Sequence, residues 1–209
     1  MAGLVQKLLL LPCYHANFQL SQTQFSLLEP TLLEKDWSGL PAQHTFKFVL
    51  AVDKTFVVLA AKIYGRTSCD ESLERGAFIE GLWERDVVEL FLKDDENEEY
   101  QEFNLSPAGA WWSAHFSSYR VRKRVLDTSC KVEIFIERDP EFCSLILCIP
   151  KGCISIRTGF SERSQANICA VLGTNPRQFL SAGVLPSEKP DFHLAAHFPR
   201  LEVRPVDQR

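Results

Sequence analysis

Trp83, Glu89, Asn104, Trp112 and Arg120 are the residues of this chain whose types and spacing suit recognition of a small polar ligand. A ligand with polar edges and apolar C–H faces, as a pyranose ring has, is held by an aromatic ring against its face. Planar carboxylate, amide and guanidinium groups then meet its hydroxyls. Trp83 stands at a loop-to-strand junction beside Glu84 and Arg85; it reads equally as a stacking platform or as a core residue plugging the end of the fold. Trp111 and Trp112 are neighbours in a strand-like run, so they point to opposite faces. Trp112 is preferred for the site, although parity alone does not assign the faces. Trp37 is read as a structural edge residue.

Glu89 lies amid Val87, Val88, Leu90 and Phe91. A carboxylate buried there is costly without donors or a ligand, so support of the fold and a place in the site are both open. Asp86 is read rather as a residue that holds a loop through backbone N–H groups. Asn104 and Arg120 offer complementary donors, or serve as ladder and turn residues. Arg120, Arg122 and Arg124 share a face, as do Lys131, Glu133 and Glu137. Opposed across a hairpin they would form a charge ladder worth about 0.2–1 kcal/mol per pair; the other reading is an anion site.

Covalent chemistry has little support. There is no G-x-S-x-G, Ser106 precedes Pro107 in a turn, and no P-loop or G-x-G-x-x-G occurs. No pair of carboxylates can be assigned to hydrolysis from spacing alone, so no enzyme is expected. Asp94–Glu99 is dense in oxygen ligands, but it lacks the EF-hand spacing and its central glycine; it reads as a solvated hairpin tip. His193 and His197 have the spacing of a helical metal pair without the glutamate of a zincin, and a structural role is expected for both. No metal or cofactor is expected.

The net charge is −4, without the basic excess that neutralises phosphates, so nucleic acid is not an expected partner. No apolar run approaches the length of about 18 residues that reads as a membrane span. The apolar run Leu8–Pro12 is shorter than a signal-peptide core, and Leu4–Leu11 reads as a first strand. Seven cysteines, an odd number without any C-x-x-C, are expected to be reduced thiols in a cytoplasmic protein, four of them in apolar stretches.

The elements that must position these residues are short strands. The 209 residues suit a single domain, 1–209. Runs over Thr45–Val52, Thr55–Ile63, Asp86–Leu92, Tyr100–Leu105, Ala110–Phe116, Tyr119–Val125, Lys131–Glu137, Phe142–Ile149 and Gln165–Leu172 predict strands. Several meet at tight turns: Asp53-Lys54, Ser106-Pro107-Ala108-Gly109 and Asp127-Thr128-Ser129. The polar stretch Tyr64–Arg85 predicts a long loop of the kind that carries function. The class expected is all-β, an antiparallel β-sandwich of two sheets.

The central block reads Leu82-Trp83-Glu84-Arg85-Asp86-Val87-Val88-Glu89-Leu90-Phe91-Leu92. Tyr100-Gln101-Glu102-Phe103-Asn104-Leu105-Ser106-Pro107-Ala108-Gly109-Ala110-Trp111-Trp112 follows it, then Phe116 and Tyr119-Arg120. It resembles the family 9 carbohydrate-binding modules of the DOMON-like superfamily. Asp36-Trp37-Ser38-Gly39-Leu40-Pro41 resembles their opening segment, and Asp191-Phe192-His193 with His197-Phe198-Pro199 their closing one. The resemblance implies a β-sandwich with a sugar site on one face or at a strand end, and a carbohydrate-binding domain without catalysis. Some family 9 modules bind calcium, which is the motive for weighing Asp94–Glu99. Glu102 departs from the pattern, standing where some relatives have arginine, and this leaves the ligand class open. Relatives with known sugar binding are usually secreted and fused to glycoside hydrolases, whereas neither a signal peptide nor a catalytic partner is expected here. Two further functions fit the resemblance: an interaction scaffold whose sugar site has decayed, with its tryptophans buried and no cleft, and haem-bound electron transfer. The second uses Met and His ligands, and Met1 is the only methionine here.

Overall fold

Asp53 shows how the strands are joined. One of its carboxylate oxygens accepts the backbone N–H groups of Thr55 (2.8 Å) and Phe56 (2.7 Å), and the other accepts that of Leu20 (3.1 Å). That arrangement turns β3 (Pro41–Val52) directly into β4 (Phe56–Tyr64). At the second turn Gly109 adopts a φ of 87°, a left-handed conformation that favours glycine. A Cβ there would also stand 3.0 Å from Arg75.

The computed structural model describes residues 10–126, 129–156 and 160–207. Beside these two strands lie β1 (Leu10–His15), β2 (Thr31–Lys35), β5 (Val87–Lys93), β6 (Tyr100–Leu105), β7 (Trp111–Ser118) and β8 (Val121–Val125). Next come β9 (Glu133–Arg138), β10 (Phe142–Pro150), β11 (Gln165–Leu172), β12 (Gln178–Ser181) and β13 (Arg200–Pro205). One short helix, α1 (Gln22–Ser26), is capped by Ser21, with Gln24 returning the bond to the Ser21 N–H. No helix among the described residues is long and apolar enough to cross a membrane.

The strands form one mixed sheet, curled into a half-barrel, in the order β8-β7-β6-β5-β11-β13-β1-β3-β4-β10-β9. β12 adds to β11 and β2 to β3. This corrects the expected antiparallel sandwich of two sheets. β1 runs parallel to both β13 and β3, and β11 meets β13 through the pair Gln165–Arg200, so hydrogen bonding is continuous across both halves. The inner face carries the main core, including Phe46, Phe48, Leu50, Leu59, Phe103 and Trp111. The opposite face of β5, β6, β7 and β11 carries a second cluster, with Phe91, Tyr100, Trp112 and Phe116 covered by Leu185, Phe192 and Phe198.

Two further expectations are corrected, and a third lies partly outside the described residues. β8 and β9 lie at opposite ends of the strand order, so no arginine–glutamate ladder joins them; Arg122 pairs instead with Glu80 (2.7 Å). The first described strand begins at Leu10, and the rest of Leu4–Leu11, like Asp127 and Thr128 of the third turn, lies outside the described residues. The cysteines are not all thiols: Cys130 and Cys153 form a disulfide with a Cα–Cα distance of 5.8 Å, within the usual range. Cys13, Cys69, Cys143, Cys148 and Cys169 are free. Burial pushes the Cys13 and Cys148 thiols up to about 12 and that of Cys143 up to about 11, so these three are unreactive in the fold. Thiol titration of the denatured, unreduced protein is expected to find these five groups, and two more after reduction. Seven thiols before reduction would exclude the bond.

Candidate site on the outer sheet face

Alternation along the strands brings the site together. Glu89 on β5, Asn104 on β6 and Trp112 on β7 stand in one cross-strand row. Glu102 lies in the next row, between Phe91 and Ala114. All share the face opposite the main core, because positions two apart on a strand point the same way.

Trp83 approaches from the long loop on a 3₁₀ turn, Leu82–Glu84. The Arg177 guanidinium fastens that turn by donating to the carbonyls of Trp83 (2.6 Å), Glu84 (2.8 Å) and Arg85 (3.0 Å). Asp86 anchors the same region as expected: its carboxylate accepts the N–H groups of Ser68 (2.6 Å) and Gly173 (2.8 Å). Trp83 is 36 % exposed, and its ring meets Trp112 edge-on at 5.1 Å between centroids.

These residues bound an open cavity of about 610 Å³. Trp83, Trp112, Phe116, Phe179, Pro190 and Phe192 supply apolar wall. Glu89, Glu102, Arg120, Arg122 and His193 supply the polar groups. Of the five residues singled out from the sequence, Trp83, Trp112, Glu89 and Arg120 line the cavity. Asn104 does not: it is fully buried, and its Nδ2 donates to Glu102 Oε1 (2.9 Å). Trp111 faces the main core beside Phe78. Trp37 supports the rim, donating to the Ser187 carbonyl (3.0 Å) and packing on Phe192.

A chain of hydrogen bonds sets the tautomer of His193. The Arg120 N–H donates to the Tyr100 hydroxyl (3.1 Å), which donates in turn to His193 Nδ1 (2.7 Å). The imidazole proton is therefore assigned to Nε2, which lies 3.8 Å from Glu102 Oε2. Burial, helped by the Arg120 charge, pushes His193 down to about 4, so the ring is neutral at pH 7. Arg120 has a left-handed backbone (φ 55°). It donates to Asp191 Oδ1 (2.9 Å), and the Tyr119 hydroxyl holds Asp191 Oδ2 (2.7 Å). The Arg122 guanidinium lies 5.0 Å from the centroid of Trp112, a cation–π contact.

The two carboxyls are the unusual groups. Burial pushes Glu89 well above the ordinary carboxylate range, and the neighbouring Glu102 charge pushes it further. Burial raises Glu102 to about 7, against the Asn104 hydrogen bond and the Arg122 and Arg120 charges. Trp112 Nε1 and Asn104 Oδ1 are buried with no hydrogen-bond partner.

Glu102, Arg122, Phe179, Phe192 and His193 were not anticipated as lining residues. Glu102 was readable, since it shares the parity of Asn104. His193, expected to be structural, and Phe192 arrive from the irregular chain after β12, where no period announces a face. At the acidic hairpin tip Asp94 accepts the Glu96 N–H (3.0 Å) and Asn97 the Glu99 N–H (2.7 Å), a local turn network. Among the described residues no group of three or more His, Cys, Asp or Glu could hold a metal ion.

No protein-family model and no curated protein sequence matches the chain. Solved structures do match in fold. A candidate carbohydrate-binding protein from Bacteroides uniformis ATCC 8492 is similar with a TM-score of 0.72 at 16 % identity, over 92 % of this chain and 98 % of that one. A family 9 carbohydrate-binding module from Caldicellulosiruptor kristjanssonii, in complex with cellotriose, gives 0.60 at 10 % identity, over 94 % and 95 %. Such a module from the same organism in complex with glucose gives 0.59 at 9 % identity, over 94 % and 98 %. The chain has the fold of the family 9 carbohydrate-binding modules.

Proposed function

We propose that the chain is a carbohydrate-binding domain without catalysis, and that its ligand occupies the cavity between Trp83, Trp112 and Phe192. The observation that carries this reading is one open cavity in which a partly exposed tryptophan stands beside buried carboxyls and guanidinium groups. Trp83 offers a flat apolar surface for a sugar face, and Glu89, Glu102 and Arg120 offer acceptors and donors for its hydroxyls. The Caldicellulosiruptor modules of the same fold, in complex with cellotriose and glucose, support the ligand class. An open cavity with Trp83 at its wall favours this reading over a scaffold with a decayed site, which would bury its tryptophans. The reading extends to a cytoplasmic protein, a location that the five free cysteines favour and the Cys130–Cys153 bond does not; that bond already formed in freshly lysed cells would place the protein in an oxidising compartment.

The test is a glycan screen of the purified protein followed by calorimetric titration of the saccharides retained. Saturable binding is expected, without release of new reducing ends on long incubation. Failure of every saccharide to bind at millimolar concentration would overturn the reading, and turnover of a bound saccharide would overturn its non-catalytic part.

A further inference from the structure

We propose that the cavity selects a saccharide unit bearing a free, protonated amine, with the ammonium seated between Glu89 and Glu102. This inference rests on the carbohydrate reading and narrows it to one ligand chemistry.

It comes from the charges around the two carboxyls. Each is 3 % exposed, and both line the cavity. Among the described residues Glu89 receives no hydrogen bond, and Glu102 receives the one from Asn104. The cations nearby are engaged elsewhere. From the turn before β8, Arg120 is held by Asp191; from β8, Arg122 is held by Glu80; from the segment before β12, Arg177 caps the Trp83 turn. Tyr100 on β6 and Cys169 on β11 are kept neutral by burial, and His193, the cationic candidate within 3.8 Å, is a neutral ring. The floor thus presents two acidic groups and the unpartnered Asn104 Oδ1, and among the described residues no arginine or lysine forms an ion pair with either carboxyl, although the Arg120, Arg122 and Arg177 charges act on them across space.

A neutral hydroxyl satisfies such a floor poorly. It brings no charge, so it leaves the buried carboxyls in their protonated form and gains no charge-assisted bond. An ammonium brings three donors and a positive charge, and charge-assisted bonds are the stronger ones. In the free cavity the two carboxyls keep their protons to higher pH than ordinary carboxyls do. A cationic ligand favours the ionised form, so binding below the free Glu102 value of about 7 must release a proton, and affinity must rise with pH from 5 towards 7.

The experiment uses the β-1,4-linked disaccharides of glucosamine, glucose and N-acetylglucosamine, which differ at C2, titrated calorimetrically into the whole chain at pH 6 in two buffers of different ionisation enthalpy. The glucosamine dimer is expected to bind at least tenfold tighter than the other two and to release a proton, and Glu102→Gln, with its fold checked by melting, is expected to bring the affinity ratio near one. Equal or tighter binding of the glucose dimer would overturn the amine and leave the carbohydrate reading standing. No binding by these three or by any saccharide of the screen would overturn both.

Discussion

Replacing Trp112 with alanine is expected to destabilise the protein by about 3–5 kcal/mol, the usual cost of deleting a core tryptophan. Its ring is 1 % exposed and is gripped by Trp83 and Arg122 within the second core cluster. Trp83→Ala should behave differently although the two rings touch. Trp83 is 36 % exposed, and an aromatic pair adds only about 0.5–1.5 kcal/mol beyond burial. Its loss should lower stability by about 1.5 kcal/mol while weakening saccharide binding about thirtyfold, the effect of losing a contact worth about 2 kcal/mol. Chemical denaturation and calorimetric titration of both variants give the comparison. If Trp83→Ala unfolds as readily as Trp112→Ala, Trp83 is a packing residue and the proposed stacking platform is lost.

Glu102→Gln is expected to stabilise the unliganded protein at pH 8 by about 3 kcal/mol more than at pH 4.5. Glu102 titrates at about 7 in the fold against 4.5 for the free side chain. A carboxyl raised by folding leaves stability intact below the unfolded value, and the fold loses stability as the pH rises through the folded one. Each unit between the two values is worth about 1.4 kcal/mol. His193 acts in the opposite sense: lowered to about 4, it costs stability as the pH falls below its unfolded value. A melting profile of the wild type alone therefore mixes the two, and the difference between wild type and variant reports Glu102 together with its coupling to Glu89. A difference that stays flat from pH 4.5 to pH 8 would show that the carboxyl is solvated rather than buried.

Much of the site was legible because it depends on alternation and local turn chemistry. The runs Tyr100–Leu105 and Gln165–Leu172 became β6 and β11 with those limits. Parity then places residues 89, 104 and 112 on one face once their strands are paired. Asp86 was recognisable as a loop anchor because an acidic residue at the mouth of an apolar strand needs N–H donors. Strand order is another matter. Nothing in the local pattern of β1 says that it lies parallel between two strands from distant parts of the chain. The four-residue β12 and the segment bearing Phe192 and His193 are too short or too irregular for a period to show. Arg122 was misassigned for the same reason: its face was correct, but the partner assumed for β8 lies at the far end of the sheet.

The position of β1 between β13 and β3 also bears on how the chain folds. β1 and β13 stand at opposite ends of the described chain, yet they pair along all six residues of each. Contacts so distant in sequence carry a high loop-closure cost before any stabilisation returns, and chains rich in them fold slowly. During synthesis β13 emerges after every other described strand, so until it docks the nascent sheet has open edges at β1 and β11. Unpaired edges of this kind are templates for pairing with other chains. Versions of the chain ending before Arg200 should accordingly aggregate rather than retain half a fold, even though the cavity draws none of its lining from β13.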